Sequence, residues 1–280
     1  MKSDQGFSNE VTDDKPWALV TGASSGLGEA FARELAARHI NLVLTARREQ
    51  PMQQMAERLK TQYGIKVVIE PADLSRPGSA AALKSKIDAQ GIEPAILINN
   101  AAFGISGFFG DQPLERLDSM LHLNIVSLTE LTHIFGKDMR ARGRGQILLV
   151  ASVAAQGPTP LLSAYGASKA YVLSLGEALH VEFGAKVGVT VLSPGLMDTE
   201  FNAVSGYEAP DSMLIRKSKL APTKVAQIGL EAMFARKPHV IAGGVNRFIA
   251  FVAHFVSRHT LARTVFDMAH KPDSRGEHSC

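Results

Sequence analysis

The sequence predicts an α/β protein, a doubly wound parallel sheet of about seven strands with helices on both faces. Three observations lead there. Short apolar runs alternate with longer segments of helical period, several runs are apolar at nearly every position, and a glycine-rich turn directly follows the first run. Strands covered on both faces need such uninterrupted apolar runs. Regular β–α alternation makes parallel strands joined by right-handed helical crossovers. The runs are 18–21, 41–45, 67–70, 95–98, 146–151, 189–192 and 239–242. The helical segments are 27–38, 52–63, 79–90, 114–142, 164–183 and 223–235, and the first sets Leu27, Phe31 and Leu35 on one face. Segment 202–221 reads as irregular and follows the sixth strand, where such sheets bind substrate.

A chain of 280 residues can bury one sizeable core. The expected organisation is a flexible polar tail over 1–15, a single domain over 16–244, and an amphipathic helical extension with its tail over 245–280. Composition narrows the classes. The 30 Lys and Arg are spread along the chain and leave a formal charge of only +3, which argues against a nucleic-acid partner. The sole cysteine, Cys280, excludes an intrachain disulfide framework and a cysteine-ligated metal site within one chain. The nine histidines form no H-E-x-x-H pattern, so no metal is expected. The polar N-terminus is unlike a secretory signal, and no stretch reaches the ~18 apolar residues of a membrane span. The reading is a cytoplasmic protein.

Thr21-Gly22-Ala23-Ser24-Ser25-Gly26-Leu27-Gly28 joins the first strand to the first helix. Such a turn points backbone N–H groups and the positive end of the helix at a phosphate, and its glycines allow close approach. The same residues satisfy G-x-S-x-G, the elbow of serine hydrolases, with Ser24 as nucleophile. That elbow normally follows several strands, however, and this one follows the first. The second strand ends Thr45-Ala46-Arg47-Arg48. In dinucleotide sites a carboxylate at this point binds ribose hydroxyls, whereas arginine suits a 2′-phosphate. Arginines opening an exposed helix also have a simple solvated reading.

Tyr165 and Lys169 stand four residues apart, on one face of a helix. A phenol titrates near ~10, and a fixed ammonium beside it favours the phenolate. Ser152, ending the fifth strand, offers a hydroxyl to a substrate oxygen. The spacing also suits a merely solvated helix.

Taken in order, these residues resemble the short-chain dehydrogenase/reductases, over roughly residues 16–244. The pattern comprises the 21–28 turn, Asp73-Leu74, Asn99-Asn100-Ala101, Asn124, Ser152, Tyr165, Lys169, Pro194-Gly195 and Thr199. One departure is Ala102, where the family usually carries glycine. The resemblance implies a Rossmann-type NADP(H)-binding domain that moves a hydride between nicotinamide and a carbonyl or alcohol carbon. It implies that Tyr165 is the general acid or base, that Ser152 holds the substrate oxygen, and that Lys169 binds the nicotinamide ribose and lowers the Tyr165 pKa. Asn124 would hold a water linking Lys169 to solvent. Gly22, Ser24, Ser25, Gly26, Leu27 and Gly28 would cradle the cofactor phosphates, and Arg47 and Arg48 would take the 2′-phosphate. Asp73 and Leu74 would flank adenine, Asn100 and Ala101 would line the adenosine side, and Pro194, Gly195 and Thr199 would face nicotinamide. A homodimer or homotetramer is implied as well. The readings outside this chemistry are a non-catalytic dinucleotide-binding regulator and the Ser24 hydrolase.

Phe248, Ile249, Phe251, Val252, Phe255 and Val256 form an apolar face, with Arg247, His254 and Arg258 opposite. Packing on the domain or a second subunit explains it; so does peripheral contact with lipid. Together with Phe201, Val204, Tyr207, Met213, Leu214 and Ile215, the phenylalanines of this tail are expected to cover an apolar substrate.

Overall fold

Burial of successive strand residues decides the architecture. A computed structural model describes residues 15–270 except 198, 208–212 and 254, with the side chains of 202, 203 and 213–215 also excepted. The strands are β1 (Trp17–Thr21), β2 (Asn41–Thr45), β3 (Val67–Ile69), β4 (Pro94–Asn99), β5 (Gly145–Val150), β6 (Val187–Ser193) and β7 (His239–Ile241). They form one parallel sheet in the order β3-β2-β1-β4-β5-β6-β7. Every residue of β2, β5 and β6 is buried, as the uninterrupted apolar runs require.

Alternate strand residues divide between two cores. Val20, Ile98 and Leu148 face α1 (Gly26–Ala36), α2 (Glu49–Tyr63) and α9 (Pro222–Phe234). Leu19, Leu97 and Leu149 face α3 (Ser79–Asp88), α5 (Leu128–Arg142) and α6 (Ser163–Phe183). The stripe Leu27, Phe31 and Leu35 is buried in the first core. Sheet order reverses between β1 and β4, so a crevice opens at the carboxyl ends of these strands.

Three elements differ from expectation. α2 starts at Glu49, earlier than residue 52, because Pro51 falls in the first turn, where its missing N–H costs nothing. The single helix expected over 114–142 is α4 (Leu114–Leu121) and α5 joined by a π-helical turn, His122–Ser127. The irregular segment contains two short helices, α7 (Glu200–Ser205) and α8 (Met213–Ser218). Thr199 caps α7 by accepting from the Phe201 N–H, and Gly206 ends it at φ 68°. The chain continues into α10 (Gly244–Ala253) and α11 (Arg258–Ala269), so the fold is a single domain with C-terminal helices. Among the described residues no helix is long and apolar enough to cross a membrane.

Candidate active site

The β1–α1 turn forms one end of a cleft of about 760 Å³. Its glycines are required by contact as well as by conformation. A Cβ on Gly28 would collide with the Gly22 carbonyl oxygen, and one on Gly22 would stand 2.9 Å from Asn100 Nδ2. Asn100 donates from Nδ2 to the Thr21 carbonyl oxygen at 2.8 Å, and the Asn100 and Ala101 N–H groups both donate to Thr21 Oγ1 at 2.9 Å. These bonds fasten the end of β4 to the turn. Ser25 at the N-cap makes no side-chain cap to α1, which leaves first-turn N–H groups for a ligand. The turn therefore fits a pyrophosphate.

The next wall carries Arg47, Arg48, Asp73 and Leu74. Burial alone would raise the Asp73 pKa, but hydrogen bonds from Ser75, helped by Arg47 and Arg76, hold it below the usual carboxylate value. Arg48 Nη2 donates to Ser25 Oγ at 3.0 Å and lies 3.4 Å from Ser24 Oγ. The partner of Ser24 is thus a guanidinium. Among the described residues no histidine lines the cleft, so the hydrolase reading lacks its base.

At the other end α6 presents Tyr165 and Lys169 on one face, and both are buried. Ser152, at the end of β5, receives the Ala154 N–H at 3.1 Å, and its hydroxyl opposes the rise in the Tyr165 pKa. Lys169 Nζ donates to the Val150 carbonyl oxygen at 2.8 Å and lies 5.8 Å from the centre of the Tyr165 ring. The expectation that Lys169 pulls the phenol pKa down is not met in this arrangement. Burial pushes Tyr165 up to about 12 against the opposing Ser152 hydroxyl, and burial pushes Lys169 down to about 7. The ammonium points at a backbone carbonyl, and burial disfavours its charged form.

All of the expected site residues except Asn124 line this one cleft. Asn124 is buried in the π turn, where Oδ1 accepts from the Phe103 N–H and Nδ2 donates to the Phe103 carbonyl and Ser168 Oγ. Its side chain pins the bend against α6.

Several lining residues escaped the sequence reading. Asn246 of α10 donates to the carbonyls of Ser218 and Ala242, and its amide lies against Gly195, where a Cβ would collide with it. Glu200 pairs with Arg48 across the cleft. Phe201, Val204 and Tyr207, expected from the sequence to cover an apolar substrate, do line the cleft, and Phe201 packs on the Tyr165 ring at 5.3 Å. The expected wall of C-terminal phenylalanines is corrected. Phe248, Phe251 and Phe255 are 65%, 64% and 77% exposed, while Ile249, Ala250 and Ala253 on the other face of α10, with Leu261 and Val265 of α11, meet the cleft. Helical spacing puts these two sets on opposite sides. Met213, Leu214 and Ile215 lie outside the described side chains.

Known proteins resemble this chain in sequence and in fold. The chain is 36% identical over 197 residues to the very-long-chain 3-oxoacyl-CoA reductase of Anas platyrhynchos, covering 68% of this chain and 62% of that protein. It is 28% identical over 232 residues to the 7beta-hydroxysteroid dehydrogenase of Collinsella aerofaciens, covering 82% and 87%. A third relative, 31% identical over 74% of this chain and 62% of its own, is the inactive hydroxysteroid dehydrogenase-like protein 1 of Rattus norvegicus. The chain thus spans about three fifths of the length of the duck and rat proteins. Among solved structures, a short-chain dehydrogenase from Sphingobium yanoikuyae in complex with NADPH superposes with a TM-score of 0.75 at 29% identity, covering 94% and 98%. One from Burkholderia phymatum in complex with NAD gives 0.76 at 25%, covering 94% and 99%. Residues 16–208 match the sequence model of the short chain dehydrogenases, well over half the chain, and the glycine cradle, crevice and tyrosine–lysine helix all fall within them: the chain belongs to the short-chain dehydrogenase family.

Proposed function

We propose that this protein is an NADPH-dependent oxidoreductase acting between a carbonyl and a secondary alcohol on an apolar, lipid-like substrate. The observation that carries the reading is Tyr165. It is a buried, neutral phenol that shares with Ser152 the far end of a cleft beginning in a phosphate-fitting turn. When bound, the dinucleotide supplies or takes up the hydride. Its pyrophosphate would rest on residues 22–28, its 2′-phosphate on Arg47 and Arg48, its adenine between Asp73 and Leu74 near Asn100 and Ala101. Its nicotinamide would lie by Pro194, Gly195 and Thr199.

The chain's own groups supply proton and orientation. Ser152 Oγ holds the substrate oxygen, and Tyr165 Oη gives it a proton in reduction or removes one in oxidation. A phenol held near 12 stays protonated at neutral pH, which suits the donor role. Lys169 Nζ, near 7, can return a proton toward Tyr165 while also holding ribose hydroxyls. Asn124 is a positioning residue that fixes Ser168 and the loop at Phe103. Phe201, Val204, Ile249 and Leu261 present the apolar wall, in keeping with relatives named for acyl-CoA and steroid chemistry. The outer face of α10, with Phe248 and Phe251 beside Arg247 and Phe255 just beyond its end, suits peripheral contact with lipid.

The relative named inactive favours a second reading, a dinucleotide-binding protein without turnover. Against it, Ser152, Tyr165 and Lys169 are all present and stand together in one cleft. A screen of ketones and aldehydes with NADPH and with NADH, following nicotinamide absorbance, separates the two. Turnover of apolar ketones with NADPH preferred by about tenfold or more is expected. Cofactor binding without turnover of any carbonyl would favour the second reading.

A further inference from the structure

Arg48 has a partner on the far side of the cleft mouth. Its Nη2 lies 2.6 Å from Glu200 Oε2 and its Nη1 3.3 Å from Oε1, a two-point contact between residues 152 apart in sequence. The same Nη2 reaches Ser25 Oγ at 3.0 Å, so Arg48, Ser25 and Glu200 form a belt from the glycine turn to the start of α7. The Arg48 contact, followed by a bond from Ser25, holds the Glu200 pKa below the usual carboxylate value, so the carboxylate is charged at neutral pH. Arg47, by contrast, makes no side-chain hydrogen bond among the described residues.

Both members of the pair are about half exposed, at 51% and 55%. An exposed pair of this kind is weak and exchangeable. A phosphate dianion is a better partner for a guanidinium than a carboxylate is, since it brings more charge and three acceptor oxygens. Glu200 also sits next to Thr199, whose side chain packs toward Gly26, so α7 starts close to the cradle.

We propose that Glu200 is a specificity-determining residue for the cofactor: its carboxylate occupies Arg48 in place of the 2′-phosphate, and NADPH binds by exchanging that partner and freeing the start of α7. The inference rests on the reading of Arg48 as a phosphate ligand. It adds that the chain carries an internal competitor for that phosphate, and that the competitor lies on the segment bearing Phe201, which packs on Tyr165. Part of the affinity for the phosphate is thereby spent on releasing the substrate-side helix.

The test compares dissociation constants for NADPH and NADH in the parent, Glu200→Gln, Arg48→Ala and the double variant, measured by fluorescence titration. Both nucleotides share the pyrophosphate, so the ratio of the two constants isolates the phosphate. Glu200→Gln is expected to raise the preference for NADPH roughly three- to fivefold, the size of an exposed ion pair. In the Arg48→Ala background the same change is expected to leave the ratio where it was. An unchanged or lowered ratio in Glu200→Gln would overturn the exchange while leaving Arg48 as a phosphate ligand. A parent that binds both nucleotides equally and is indifferent to Arg48→Ala would refute the phosphate reading, and the exchange with it. The altered side chain is exposed, and matching unfolding curves for parent and variant confirm that the ratio reports binding.

Discussion

Replacing Lys169 by methionine, a chain of similar length without the charge, should make the protein more stable below neutral pH and inactive together. Lys169 is enclosed, and burial moves its pKa from 10.5 to about 7. In the unfolded chain the amine binds its proton throughout that interval; in the folded chain it does not. Stability therefore rises with pH between about 7 and 10.5, and the full penalty is present below 7. At 1.36 kcal/mol for each pH unit of difference, the penalty reaches at most about 5 kcal/mol. Losing the bond to the Val150 carbonyl gives back about 1.5–3 kcal/mol, since that oxygen is left unpaired. The variant should thus be about 2 kcal/mol more stable than the parent at pH 6 and, with the parent's penalty down by roughly 3 kcal/mol, about 1 kcal/mol less stable at pH 9. Tyr165 does not confuse this window. Its raised pKa gives stability that is present below pH 10 and lost only as pH rises through about 12. Urea unfolding of both proteins across this pH range is the assay. Parallel stability curves for parent and variant would refute the argument that Lys169 is held partly neutral by burial.

Lengthening an aliphatic ketone should raise kcat/KM about fourfold per carbon until the apolar wall is filled, at ~0.8 kcal/mol per buried methylene; a flat series read by cofactor absorbance would show that Phe201, Val204 and Leu261 serve packing alone. Gly195→Ala should collide with the Asn246 amide, and adding Asn246→Ala should restore much of what is lost. Single and double variants that behave additively in unfolding and in nicotinamide-site activity would refute that contact.

Much of this was legible in the sequence, for identifiable reasons. The strands of a doubly covered sheet are apolar at nearly every position, so 41–45, 146–151 and the core of β6 could be read directly, and Gly22 and Gly28 stand where the turn has no room for a side chain. Chain order then brought eighteen of nineteen expected site residues to one cleft. What the pattern could not carry was set by tertiary contact. The π turn at 122–127 follows from Asn124 bonding to Phe103 and Ser168, which no local propensity encodes. Arg48 meets Glu200 only because the sheet closes 152 residues between them. The facing of α10 required knowing which side meets the cleft, since its phenylalanines and its Ile249 face are both apolar. α7 did leave a signal, the Thr199-Glu200 start and the Gly206 stop, which the irregular reading of 202–221 passed over.

The central claim is that Tyr165 delivers the proton in an NADPH-dependent carbonyl reduction. Tyr165→Phe keeps the ring against Phe201 and removes only the hydroxyl. Single-turnover reduction of an accepted ketone, with NADPH affinity measured on the same samples, tests the claim directly. The expected result is unchanged NADPH binding and a rate lower by about 10²-fold or more. A Phe variant that binds NADPH and reduces the ketone at the parent rate would contradict it.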